Sequence, residues 1–138
     1  MYNEKRIELA EIEIKTSLED YATAEDMFKS NHYRAALNRL YYSVFHLMSA
    51  RLDLDGLGFS KHSAVISKFR ELYLNKDFEG DLKNKLSDTI TKAENLRIGS
   101  DYQKGFVADE DMVSKSLEDV KFFNDKILEY IKKSINKK

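Results

Sequence analysis

The sequence predicts an all-α fold, an up-and-down antiparallel helical bundle of about five helices, and three observations predict it. Proline is absent and only five glycines occur in 138 residues, so little interrupts a helix. Apolar residues recur every three or four positions through five stretches. No run alternates apolar and polar residues as a half-buried strand would. Long helices joined by short connections pack as antiparallel neighbours, and the length suits one domain with one core, so residues 1–138 are expected to form a single domain.

The first helix is expected from about Asn3 to Lys29. Ile7, Ile14, Tyr21 and Phe28 share one heptad position, and the small residues Ala10, Ser17 and Ala24 share another, a seam that lets a neighbouring helix approach closely. Asn31 is the expected cap of the second helix, which runs to about Leu54. This helix, YRAALNRLYYSVFHLMSAR in its central part, is apolar on nearly all sides and belongs in the middle of the bundle. After the turn LDGLGFS, Ser60 is the expected cap of a third helix, KHSAVISKFRELYL, with Val65, Phe69 and Leu72 inward. A fourth, from about Glu79 to Leu96, carries Leu82, Leu86, Ile90 and Ala93 on one stripe. The fifth, from about Asp109 to Ile135, carries Val113, Leu117, Val120, Ile127 and Ile131, with acidic residues at its start and lysines at its end, as the helix dipole favours.

Composition excludes several classes of function. There is no cysteine, which removes disulfides, thiolate zinc sites and cysteine nucleophiles and fits a cytoplasmic location. No apolar run approaches the roughly 20 residues that span a bilayer, and the start MYNEKRIELAEIEIK is too charged for a signal peptide, so no membrane role is expected. Lys and Arg number 23 against 24 Asp and Glu, which argues against bulk electrostatic nucleic-acid binding but leaves room for a local basic cleft. The three histidines lack a Glu-x-x-His or local zinc spacing, and there is no P-loop or dinucleotide fingerprint, so neither metal nor cofactor is expected.

Two polar anomalies remain. Arg39 and His46 lie two helical turns apart on the apolar second helix, and each must find a partner inside the bundle, a carboxylate for Arg39 and a backbone carbonyl or hydroxyl for His46, or line a site. Arg97, Asp101, Tyr102 and Lys104 crowd into LRIGSDYQKGF, read as a loop bracketed by Gly99 and Gly105, where Arg97 can pair with Asp101 across the turn. His62, at the start of the third helix, is a weaker titratable candidate, since a charged imidazole is disfavoured there. Tyr2, Tyr33, Tyr41 and Tyr73 read as packing at the edge of the core.

Three ordered motifs, Asn38-Arg39-Leu40-Tyr41-Tyr42-Ser43-Val44-Phe45-His46, then Lys61-His62-Ser63, then Arg97-Ile98-Gly99-Ser100-Asp101-Tyr102, make the chain resemble the HEPN family of small helical bundles often encoded beside minimal nucleotidyltransferases. Many members are metal-independent ribonucleases of toxin–antitoxin and defence systems. They use an Arg-x(4-6)-His motif at the cleft of a homodimer, the arginine holding the scissile phosphate and the histidine moving the proton of the attacking 2′-hydroxyl.

The resemblance therefore implies catalytic candidates in Arg97, His46, Arg39, Asp101 and Tyr102, with His62 weaker. Arg39 and His46 meet the family spacing formally. The position where family toxins usually carry the motif is Arg97 to Tyr102, and there Asp101-Tyr102 stands in place of the histidine. Two readings stay open: a metal-independent ribonuclease toxin, or a noncatalytic HEPN module binding a nucleotide, an RNA or a nucleotidyltransferase partner. In toxin pairs the nucleotidyltransferase antitoxin can transfer AMP to the tyrosine after the motif, which makes Tyr102 the residue to suspect of modification.

Overall fold

The computed structural model describes residues 2–136. Its helices are α1 (Glu4–Lys29), α2 (Tyr33–Leu54), α3 (His62–Phe69), α4 (Gly80–Tyr102) and α5 (Glu110–Asn136). α3 runs on through a π-helical turn (Arg70–Leu74) into a last helical turn (Asn75–Asp77). Among the described residues there is no strand. This is the all-α bundle that the apolar spacing predicts.

α2 is the central helix, packed against α1, α3, α4 and α5. Its buried residues Leu37, Leu40, Tyr41, Val44, Leu47, Met48 and Leu52 point in several directions, as expected of a helix apolar on most sides. The small-residue seam of α1 is its closest approach. Ala10, Ser17 and Ala24 are fully buried, and at the middle the two helices exchange hydrogen bonds. Ser17 Oγ donates to the carbonyl of Ser43 at 2.6 Å, and Ser43 Oγ donates to the carbonyl of Ser17 at 2.8 Å. A hydroxyl reaches a carbonyl of the next helix only when the backbones nearly touch, which is what small side chains permit. Asn124 of α5 completes this buried cluster, its Nδ2 donating to Ser43 Oγ at 2.9 Å.

Three details depart from the expected boundaries. α2 is capped at His32 rather than Asn31: Asn31 takes a left-handed φ of 63°, and its Oδ1 accepts from the Tyr33 hydroxyl. α3 starts after Lys61, with no side-chain cap from Ser60, and Leu72 is only partly buried. α4 continues two turns past Leu96 and carries Arg97, Asp101 and Tyr102 on its last turns instead of in a loop. Gly99 is not a turn residue: a Cβ there would lie 2.6 Å from the Phe106 ring, so the glycine serves close packing inside a helix. The turn glycine is Gly105, with φ of 78°.

At the far end of the bundle, Arg51 is 7% exposed. Its guanidinium carbon lies 4.2 Å from the Tyr73 ring centre, 5.5 Å from that of Tyr130 and 5.6 Å from that of Tyr2, and Asp55 pairs with it at 3.2 Å. A charge can be buried here because a carboxylate and three ring faces surround it. Among the described residues no helix is long and apolar enough to cross a membrane.

Candidate functional site

The extension of α4 brings the third motif beside the first. Arg97 lies across the face of Tyr41, its guanidinium carbon 4.5 Å from the ring centre, and reaches to 6.0 Å from the centre of Tyr42. Arg39 approaches Tyr42 as well, at 5.0 Å. His46 and His62 stand 6.2 and 5.7 Å from the same ring. Four of the residues singled out from sequence thus surround Tyr42, a side chain the sequence reading gave no role. Asp101 is drawn in through Asn38, whose Nδ2 donates to Asp101 Oδ2 at 3.0 Å. Tyr102 lies at the rim, 74% exposed, lining an open cleft with Arg34, Asn38 and Arg39.

The two arginines differ in how firmly they are held. Arg39 donates from Nη1 to Asp20 Oδ1 at 3.0 Å, and from Nε and Nη2 to Asn38 Oδ1 at 3.1 and 2.7 Å. The carboxylate partner foreseen for it is therefore present, on α1. Arg97 makes no hydrogen bond among the described residues: its nearest carboxylate, Asp101 Oδ2, is 3.6 Å from Nη1, and its Nε is buried without a partner. That i to i+4 pair is the one expected across a turn, made instead along a helix. A guanidinium with free donors against aromatic faces is suited to an oxyanion.

His46 meets carboxylates rather than the carbonyl or hydroxyl expected. Its Nδ1 lies 3.0 Å from Glu13 Oε1, and its Nε2 lies 3.7 Å from Asp20 Oδ2. His62 stacks on Phe45 with ring centres 4.1 Å apart, and its Nδ1 is 3.1 Å from the Tyr41 hydroxyl. Burial first, then the cation of Arg97 and His46, pulls the His62 imidazole below its usual range, against a smaller opposing effect of Glu94. Burial pushes the Tyr41 hydroxyl up to about 12, with Arg97 opposing and Glu94 and Tyr42 adding to it, so it keeps its proton at neutral pH.

Sequence reasoning missed Glu13 and Asp20. Both sit on a helix rich in surface charge, but each lies three residues after a small seam residue, Ala10 or Ser17, and so at the flank of the closest contact in the bundle. A carboxylate there has to face α2, and that spacing is the signal that could have found them. Among the described residues no group of three or more histidine or acidic side chains is placed to hold a metal ion.

A model of the HEPN domain matches residues 10–133. A protein of Methanocaldococcus jannaschii described as a putative toxin is 30% identical over 119 residues, covering 86% of each chain. A UPF0332 protein of Thermotoga maritima is 30% identical over 132 residues, covering 86% of this chain and 96% of that one. A second M. jannaschii protein described as a putative toxin is 31% identical over 99 residues, 72% of this chain and 60% of that one. The match extends from Ala10 in the α1 seam to Lys133 in the last turn of α5 and takes in all three motifs gathered around Tyr42, and the chain belongs to the HEPN domain family.

Proposed function

We propose that this HEPN protein is the toxin component of a toxin–antitoxin pair and cleaves RNA without a metal, at the face surrounding Tyr42. The observation that carries the reading is Arg97. It lies beside two aromatic rings and close enough to His62 for its charge to act there, with its donors uncommitted. Phosphate supplies the paired oxygen acceptors that a guanidinium fork matches. A histidine of the same cluster then takes the proton of the attacking 2′-hydroxyl. The naming of two similar chains as putative toxins supports the setting. Family resemblance supplies the working assembly, a homodimer. It also supplies the antitoxin, a nucleotidyltransferase that transfers AMP to Tyr102, and the 74% exposure of that side chain leaves it reachable. AMP there would add negative charge and bulk at the rim of the phosphate site.

A second reading has an observation in its favour. Asp20 and Asp101 stand against the two arginines and weaken the attraction for a polyanion, as suits a module that binds a partner instead of cutting RNA. The deciding experiment is cleavage of total cellular RNA by the purified chain with EDTA present, beside Arg97→Ala and His46→Ala. The ribonuclease reading requires cleavage that survives EDTA and disappears in both variants. No cleavage by well-folded wild type leaves the binding module, whose complex with a nucleotidyltransferase should then be lost in Arg97→Glu or Tyr102→Ala.

A further inference from the structure

His46 and His62 flank one ring, yet they face partners of opposite hydrogen-bonding character. An ionised carboxylate only accepts hydrogen bonds, so Glu13 Oε1, 3.0 Å from His46 Nδ1, fixes the imidazole proton on Nδ1. The neutral ring then carries its lone pair on Nε2. His62 is arranged the other way. The Tyr41 side chain is buried, with 1% exposure, and His62 Nδ1 is its hydroxyl's hydrogen-bond partner among the described residues. Its O–H therefore donates to Nδ1, since a buried donor must be satisfied. The proton of His62 is left on Nε2, where the ring can donate but cannot accept.

Asp20 extends the asymmetry. Its Oδ1 takes the Arg39 guanidinium, while Oδ2 is buried without a hydrogen-bond partner, 3.7 Å from His46 Nε2. That is too long for a hydrogen bond, but a small approach would close it once Nε2 carries a proton. The imidazolium of His46 thus has a carboxylate waiting on each nitrogen, and the neutral ring has one.

We propose that Glu13 is a positioning residue that makes His46 the proton acceptor of the cleavage step, with Asp20 receiving the imidazolium and Tyr41 confining His62 to hydrogen-bond donation. This rests on the ribonuclease reading above. The 2′-hydroxyl gives its proton to His46 Nε2 as its oxygen bonds to phosphorus. The bond from phosphorus to the 5′ oxygen breaks, and that oxygen takes a proton from water. The hydroxide so formed recovers the proton from His46, which leaves a 2′,3′-cyclic phosphate, a free 5′-hydroxyl and the starting imidazole. His62 Nε2–H donates to a non-bridging phosphate oxygen and changes no bond.

The test reads tautomer and turnover separately. Imidazole nitrogen resonances of the full chain, assigned with His46→Gln and His62→Gln, are expected to place the neutral-form proton on Nδ1 in His46 and on Nε2 in His62. Glu13→Ala should release the His46 tautomer into a mixture and lower kcat roughly 10- to 100-fold with KM little changed. The pH profile of kcat should move too, because Glu13 and Asp20 on α1, Arg39 and Tyr42 on α2 and His62 on α3 are the charged or titratable groups facing His46. Tyr41→Phe, which keeps the ring under Arg97, should shift the His62 tautomer alone. Wild-type His46 protonated on Nε2, or a Glu13→Ala enzyme with wild-type kcat, overturns the inference while the ribonuclease reading stands. Absence of cleavage by wild type overturns the role in turnover and the ribonuclease reading together.

Discussion

Asn38 and Asp101, 63 residues apart, are joined by a 3.0 Å hydrogen bond that fastens α2 to the last turn of α4. The same asparagine accepts two hydrogen bonds from Arg39, at 3.1 and 2.7 Å. One amide therefore connects the arginine of the first motif to the carboxylate of the third, with its donor and acceptor ends both used. The chain Glu13, His46, Asp20, Arg39, Asn38, Asp101 and Arg97 is continuous on this face, although its links at 3.6 and 3.7 Å are contacts without hydrogen bonds.

Removing the relay should loosen α4 from α2. Asn38→Ala is expected to lower stability by about 1 kcal/mol, the usual worth of a partly exposed hydrogen-bonded group. Urea unfolding of Asn38→Ala, Asp101→Ala and the double variant measures the coupling. Strictly additive losses would show that the two side chains do not act together.

Gly99→Ala should destabilise the protein, although alanine is the better helix former. The added methyl would lie 2.6 Å from the Phe106 ring, which packs beside Ala36, Leu37 and Val113. Displacing that ring should cost about 1 to 3 kcal/mol, more than the roughly 1 kcal/mol gained from helix propensity. Thermal unfolding of Gly99→Ala with and without Phe106→Ala gives the answer: a gain in Tm in the single variant refutes the close-packing account.

The buried cluster of Ser17, Ser43 and Asn124 should be the most sensitive polar site in the core. Ser43→Ala deprives Asn124 Nδ2 of its acceptor and the Ser17 carbonyl of its donor, for a loss of about 2 to 3 kcal/mol. Denaturant midpoints read this directly, and a loss under 1 kcal/mol would mean that the helices shift to satisfy the orphaned groups.

Asp53 makes stability depend on pH. Burial first, and the charge of Glu13 second, push its carboxyl up from 3.8 to about 6. A raised carboxyl favours folding while it is protonated. Its contribution is full below the unfolded value and is lost as pH rises through about 6. Asp53→Asn should therefore be the more stable protein at pH 7 to 8, by on the order of 1 kcal/mol after allowance for solvent screening. The advantage should shrink toward pH 4. Equal Tm values for the two proteins across that range would dismiss the effect.

Much of the fold was legible because it depends on spacing. The small seam of α1 and the stripes of α4 and α5 recur at helical intervals, and burial follows them at Ala10, Ser17, Ala24, Leu86, Ile90, Val120 and Ile127. The end of α4 was misread because a glycine carries one local signal and serves two purposes: Gly99 resembles a loop residue until Phe106 is seen against it. The site was legible in its cations and imidazoles, which stand out against an apolar helix, but not in the carboxylates that orient them. Glu13 and Asp20 lie 33 and 19 residues from their partners on a helix where acidic residues are common, and only their place three residues after Ala10 and Ser17 separates them from solvated neighbours.

The π-helical turn Arg70–Leu74 divides the third helix between two duties. Its N-terminal end holds His62 against Phe45, while Tyr73, inside the turn, lies over Arg51 at the opposite pole of the bundle. A π turn takes up one residue more than an α turn, so it sets the angular offset between those two side chains. Adding or removing a single residue here would turn one end of the helix against the other, so the length of this turn fixes how the polar face around Tyr42 is set relative to the aromatic cage of Arg51.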